Sequence, residues 1–471
     1  MKILVLNPPA HEGRPYIREG RCMQIGSSWA TLWMPLTLAY VAAVLREDGH
    51  DVRLADAVAD RLDLSGVLAL RDEFKPDLVF LNTAFPSIEG DRAAAAALKR
   101  RAPGVPIVLL GLFPTLLEDK ALDYIAGADF GLIGEPEWAA RELAAALAEG
   151  GDRTGVKGLA WRRGGQIVVN APQDLRSHDL DALPFPARDL LHNDAYRLPI
   201  NGERFTLLNI GRGCPYPCIF CIAPVYYGAP FRKRIVSRIG DEIQECVERH
   251  GLRHFLFWGE SFTTDAAYAE AICEEIIRRG FRVVWSTTSR VDTLTPRLLG
   301  KMKQAGCALL GLGIESADET ILAHSGKKTR REDITGAIRM VHDAGIKTMG
   351  HFIFGLPGET RETAGETIRF ALRSGLTYAQ FYCALPYPKT RLGELAAERG
   401  WITSGDYSSY DFTFSILRNE SLTAREVKAF RDRAYRRFYF RPRMLFRVLR
   451  EVQSVRGLLA SMDFLKWIRK K

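Results

Sequence analysis

The chain has 471 residues, 47% hydrophobic and 26% charged, the balance of a soluble globular protein with room for about two to four domains. Its net charge of +9 sits in residues 425–471, where 15 Lys/Arg face 4 Asp/Glu, so nothing in the slightly acidic body calls for nucleic acid. No apolar run of about 18 residues predicts a membrane span, and eight scattered or clustered cysteines are too few for a disulfide framework, which points to a reducing cytoplasm.

The opening "MKILVLNPPA" reads as a first strand rather than a signal peptide, because its apolar run is short and ends in Pro-Pro. Through residue 150, strand patterns at 2–9, 51–57, 77–84, 106–111 and 130–135 alternate with amphipathic stretches such as "LTLAYVAAVLRED". That alternation predicts a parallel, flavodoxin-like or Rossmann-like sheet with helices on both faces. Its ligand belongs beyond the carboxyl ends of the strands, which read "NPP", "NTAFPS" (82–87), "GLFPT" (111–115) and "GEPE" (134–137). No GxGxxG follows the first strand, so a dinucleotide fits poorly.

Residues 151–203 read as a connector, with a hairpin around Gly164-Gly165 and a proline-stiffened strap. A second series then begins, with strands at 205–211, 254–260, 282–289, 308–315, 347–357 and 378–386. Six βα units over 204–395 predict a partial (β/α)6 TIM-type barrel with its chemistry at the strand carboxyl ends. Residues 396–471 read as a mostly helical, basic C-terminal region.

The run "GRGCPYPCIFC" (211–221) falls just after the first barrel strand and carries Cys214, Cys218 and Cys221. Structural zinc wants four ligands, and no second Cys-x2-Cys exists here; a disulfide would leave one thiol over. Three thiolates instead suit a [4Fe–4S] cluster, leaving the fourth iron open to a ligand's amine and carboxylate.

With Phe220 before the last cysteine, this motif resembles that of the radical S-adenosylmethionine (SAM) superfamily. The resemblance implies that SAM binds the open iron and that an electron from an external reductant, a flavodoxin or ferredoxin, cleaves it to a 5′-deoxyadenosyl radical. Later segments extend the resemblance and imply SAM contacts. These are Gly259 and Glu260 in "WGES", Arg290 in "STTSRVD", Glu315 and Ser316 in "GLGIES", and Gly355 and Pro357 in "GLPGET". "PYPKT" resembles the last turn, with Lys389 where the family usually has glycine. Plainer readings stand beside these: Glu260 and Glu315 as acids at helix N-termini, Arg290 as a surface ion pair, Phe220 as core. His351 reads as a polar core residue, and Cys307 and Cys383 as inert buried thiols.

The domain at 1–150 resembles the cobalamin-binding domain of the B12-dependent radical SAM subclass, which is related to anaerobic Mg-protoporphyrin ester cyclase-like proteins. The implied contacts are Asn82, Thr83, Ala84 and Phe85 at the corrin ring, Gly111, Phe113, Pro114 and Thr115 toward the corrinoid tail, and Gly134 and Glu135. The axial Asp-x-His-x-x-Gly motif is absent; only His11 stands nearby, so the lower face is expected to lack a protein histidine.

SAM beside cobalamin implies methylation of an unactivated carbon of a small-molecule or lipid-like substrate, through the deoxyadenosyl radical and methylcobalamin. The alternative is a ring-forming or rearranging enzyme acting on a tetrapyrrole or other natural product. Methylthiolation of tRNA is opposed by the scarcity of N-terminal cysteines, since only Cys22 precedes Cys214. A cobalamin or redox sensor is opposed by the SAM motifs. The basic tail after residue 440 reads either as helix packed on the barrel or as a peripheral membrane contact of a cytoplasmic protein.

Overall fold

The computed structural model describes residues 1–20, 22–25, 32–198, 201–442 and 444. Strand Lys2–Asn7, apolar on both faces and buried beyond its first residue, is an interior strand of the first sheet's parallel part. Asp51–Asp56 pairs on one side of it and Leu78–Thr83 on the other, followed by Ile107–Gly111 and Phe130–Leu132. Strand order therefore reverses between Lys2–Asn7 and Leu78–Thr83, and their carboxyl ends open the crevice where such sheets bind ligands. The hairpin Leu159–Arg163 and Gln166–Val169 turns at Gly164 and Gly165, both with positive φ, and extends this sheet antiparallel.

The second sheet holds six parallel strands in sequence order, from Phe205–Asn209 to Tyr378–Cys383. Leu310, Leu312, Phe352, Phe354 and Phe381 are buried against the surrounding helices. The intervening residues face the lumen. There Thr288 pairs with Gly311, Gly313 with His351, and His351 with Gln380 in register. Helix Ala424–Tyr439 lies against the last strand, where the Tyr435 and Tyr439 hydroxyls accept from the N–H groups of Phe381 and Ala379.

Several strands end earlier than their apolar pattern predicts, and glycine is the reason. Lys347–Phe354 stops before Gly355 (φ 91°), and Phe130–Leu132 stops short of Gly134 (φ 88°). The predicted strand 205–211 divides: Gly211–Arg212 leaves the barrel to pair antiparallel with Arg232–Lys233. A hairpin that the periodicity did not reveal, Tyr16–Glu19 with Cys22–Ile25, lies near the carboxyl ends of the first sheet. Arg18 fixes it there, donating to Asp91 at 2.8 Å, Ser87 at 2.9 Å and the Pro8 carbonyl at 3.1 Å, all buried. The basic tail beyond residue 444 lies outside the described residues, and among those described no helix is long and apolar enough to cross a membrane.

One buried charge array locks the strap to the barrel. Glu242 accepts from Arg188 and from Arg234, each at 2.6 Å. Burial alone would raise the Glu242 carboxyl, yet the two guanidinium groups outweigh it and hold the group below its ordinary value. Glu242→Gln is expected to leave buried Arg188 without a counter-charge and Arg234 with Asp181 at 3.7 Å alone, and to cost about 3–5 kcal/mol, read as a lowered denaturant midpoint.

Candidate functional site

The cysteine loop is held by backbone before any cofactor is considered. Its stem is the Gly211–Arg212 and Arg232–Lys233 pair, and the Cys214 N–H donates across it to Gly228 at 3.1 Å. Cys221 N–H donates to Cys218 at 3.1 Å, Ile219 N–H to Ser325 at 3.1 Å, and Leu392 N–H to Ile219 at 2.9 Å. Gly213 has φ 93°, and a Cβ there would overlap the Pro230 carbonyl oxygen. Gly213→Ala is therefore expected to cost about 2–4 kcal/mol, seen as a lower melting midpoint with reduced iron content. Gly326 plays the same part from the far side, where its Cβ would overlap the carbonyl of Pro217.

Cys214, Cys218 and Cys221 are half-buried on this loop, whereas Cys246, Cys273, Cys307 and Cys383 are buried in the core. Burial raises the core thiols, Cys246, Cys273 and Cys383 to about 12 and Cys307 further, so they are poor ligands at neutral pH. Burial also raises Cys218, but Lys327 and Arg290 act against it. Among the described residues no three His, Cys, Asp or Glu side chains converge on a single ion. Three thiols on one loop beside cationic groups fit an iron–sulfur cluster.

Two cationic side chains border the loop. The Arg290 guanidinium lies 4.0 Å from the ring centroid of Tyr216, between the first two cysteines, and pairs with Asp292 at 2.6 Å. Lys327, buried, donates to Glu315 at 2.7 Å and to the Gly313 carbonyl at 2.5 Å. Glu315 itself takes φ 65°, a strained conformation for a non-glycine residue at a strand end. Glu260 is buried at the carboxyl end of the second barrel strand, and Gly259 packs so closely that a Cβ would come within 2.9 Å of Ile210.

The remaining SAM-motif residues support the framework. Ser316 is fully buried, contacts Thr367 at 3.3 Å and accepts from the Asp318 N–H at 3.1 Å. Phe220 packs with Ile321, Leu356 and Leu392. Pro357 is buried, and the Gly355 N–H donates to Glu359, whose carboxyl burial pushes up to about 8. Lys389 adopts φ 63°, which explains why glycine is usual there, and its ammonium reaches the Thr115 carbonyl at 3.1 Å and Glu118.

In the first domain, Asn82, Thr83, Ala84 and Gly111 do come together. They line a narrow cavity at the carboxyl ends of Leu78–Thr83 and Ile107–Gly111, closed by Arg18 and Met23 of the hairpin and by Tyr226 of the barrel. Gly111 has φ 100°, and a Cβ would stand 2.5 Å from the Thr83 carbonyl oxygen, so only glycine fits. The walls formed by Asn82, Thr83, Ala84 and Gly111 are small and polar, but the space they enclose is only about 10 Å³, the room of a single water. Thr115 braces this end, donating to Gly111 at 2.8 Å and accepting from Gly134 at 3.1 Å. His11 packs at Gly90 on helix Ile88–Arg101.

Four of the residues expected at the cobalamin have partners within the protein. Phe85 and Phe113 stack edge-on, 5.2 Å apart, in an aromatic cluster with Tyr387, Tyr407 and Tyr410, and Pro114 is buried beside Gly131. Glu135 is fully buried among Arg232, Arg212 and His178, and despite burial these partners bring its carboxyl down to about 2. Sequence reasoning missed Lys327, Tyr226, Arg212 and Arg232. It also missed Glu19, a buried carboxyl pushed up to about 7 by burial, which accepts from Thr37 at 2.7 Å.

Comparison with known proteins agrees with both halves. The model of the radical SAM superfamily matches residues 208–371, and that of the B12 binding domain matches residues 25–144. An uncharacterized methyltransferase of Pyrococcus horikoshii is 30% identical over 465 residues, 98% of each chain. The anaerobic magnesium-protoporphyrin IX monomethyl ester cyclase of Rubrivivax gelatinosus is 28% identical, over 93% of this chain and 77% of the cyclase. The solved structure of the radical SAM methyltransferase TsrM from Kitasatospora setae, with cobalamin and a [4Fe–4S] cluster bound, shares the fold. Its TM-score is 0.69 at 21% identity, covering 86% of this chain and 76% of that one.

Proposed function

The chain belongs to the B12-binding radical SAM enzymes, and on that premise we propose that it transfers a methyl group to an unactivated carbon of a small-molecule substrate. The observation that carries this reading is a juxtaposition. The loop of three cysteines runs on into the short helix Ala223–Tyr227, whose Tyr226 lines the cavity at the first sheet's carboxyl ends, while its stem is paired to the same domain by Arg212 with Glu137 and Arg232 with Glu135. When bound, the cluster and SAM supply a 5′-deoxyadenosyl radical and cobalamin supplies a transferable methyl group.

The protein's own part is holding and orienting. Cys214, Cys218 and Cys221 hold three irons and leave one for SAM. Glu260, Arg290 and Glu315, at the carboxyl ends of the second, third and fourth barrel strands, are the groups for the SAM amine, carboxylate and ribose. Asn82, Thr83, Ala84 and Gly111 receive the corrinoid. The resemblance of the whole chain to a methyltransferase supports this reading over ring closure, although a cyclase also stands among the relatives.

The test is anaerobic. Reconstituted protein, a low-molecular-mass metabolite extract, reductant and SAM labelled in its methyl group are expected to give a labelled carbon-methylated product together with 5′-deoxyadenosine. Deoxyadenosine with an unlabelled, dehydrogenated or cyclised product would replace this function with the ring-forming one.

A further inference from the structure

The stem of the cysteine loop is tied to the first domain by four buried charges. Arg212 makes a forked pair with Glu137, at 2.6 and 3.1 Å, and reaches Glu135 at 3.1 Å. Arg232, opposite Arg212 in the stem, makes a second forked pair with Glu135. Both carboxylates are 0% exposed, and the two guanidinium groups are at most 11% exposed. Glu135 and Glu137 stand at the start of helix Pro136–Ala148, just beyond the fifth strand of the first sheet.

A forked arginine–carboxylate pair fixes direction as well as distance, and two pairs side by side leave little freedom to tilt. Two guanidinium groups face two carboxylates, with His178 lying 3.5 Å from Glu135. One side of the tethered segment carries Cys214, Cys218 and Cys221. Its helix Ala223–Tyr227 places Tyr226 in the wall of the cavity lined by Asn82, Thr83 and Gly111. The same 23 residues, 211–233, therefore face both cofactor sites.

We propose that Arg212 and Arg232, through Glu137 and Glu135, are positioning residues that set the separation and tilt between the corrinoid pocket and the cluster loop. Glu135 thus acts on the barrel and does not touch the corrinoid. The inference rests on the cobalamin reading above. It explains why two acids and two arginines are buried at a seam where apolar packing would otherwise serve.

The experiment uses full-length protein loaded with cobalamin and cluster, comparing wild type with Glu137→Gln, which keeps volume and removes charge, and Arg212→Lys, which keeps charge and removes the fork. Pulsed EPR, poised so that Co(II) and the reduced cluster are both paramagnetic, reads the distance between them. The visible spectrum of the corrinoid reads its methylation by SAM. Both variants are expected to broaden or shift the distance distribution and to slow methylation by up to about 100-fold, with iron and cobalamin contents unchanged. An unchanged distance and rate in a folded Glu137→Gln or Arg212→Lys protein overturns the inference. Wild type that takes up a cluster but no cobalamin would instead overturn the reading on which it rests.

Discussion

Cys218→Ala protein, purified and reconstituted without oxygen, is expected to fold, to hold little iron and to cleave no SAM. Folding survives because the loop is held by main-chain bonds rather than by the thiols: Ile219 to Ser325, Leu392 to Ile219, and the stem pairing of Arg212 with Arg232. The cluster does not survive, because two thiolates cannot retain four irons while leaving one open. Iron analysis, the visible absorption of the cluster and chromatography of 5′-deoxyadenosine check the three parts separately. Cys307→Ala and Cys383→Ala serve as controls and are expected to leave iron content unchanged, since those thiols lie in the barrel core. Full iron in the Cys218→Ala protein would remove the premise of the radical chemistry.

Lys327→Met is expected to be the most damaging change outside the cysteines. The lysine side chain is 3% exposed and its ammonium satisfies both the Glu315 carboxylate and the Gly313 carbonyl. Methionine fills comparable space but leaves Glu315 buried with no counter-charge, at a backbone conformation already strained. Glu315 then loses the cation that orients it, and with it its use as an acceptor for SAM. A charge-assisted hydrogen bond contributes about 1.5–3 kcal/mol, so the SAM dissociation constant should rise by about 10- to 100-fold. Equilibrium dialysis on cluster-loaded protein measures this directly. Lys327→Gln, which restores a donor without the charge, should fall between the two; iron content equal to wild type separates weakened binding from a lost cluster.

The strands were legible because each is an uninterrupted apolar run bounded by Gly or Pro, and the cysteine loop because three soft ligands at that spacing have few other uses. What escaped was chemistry assembled over long sequence separations. Arg18 and Glu19 look like solvent-facing residues of a turn until Asp91 and Thr37 are seen beside them. Lys327 carries no local mark; only the fold brings it under Glu315, 12 residues earlier. Phe85 and Phe113 show the opposite case. An aromatic residue at a strand end suits a ligand or a core equally well, and here the partners that decide, Tyr387, Tyr407 and Tyr410, lie some three hundred residues away. Glu135 follows the fifth strand of the first sheet, but no motif marks its arginine partners.

The aromatic cluster reaches beyond packing. Phe85 follows a strand of the first sheet, whereas Tyr387 and Tyr410 follow the last barrel strand, so the first domain and the segment after the barrel close over one another. Lys389 adds a polar stitch on that side by reaching Thr115, and Arg212 adds another across from it. Severing the chain near residue 150 or 203 would strand buried charges and rings on both fragments. Neither fragment is then expected to be soluble alone or to reassemble when mixed, and the two halves must be inherited, expressed and engineered as one indivisible unit.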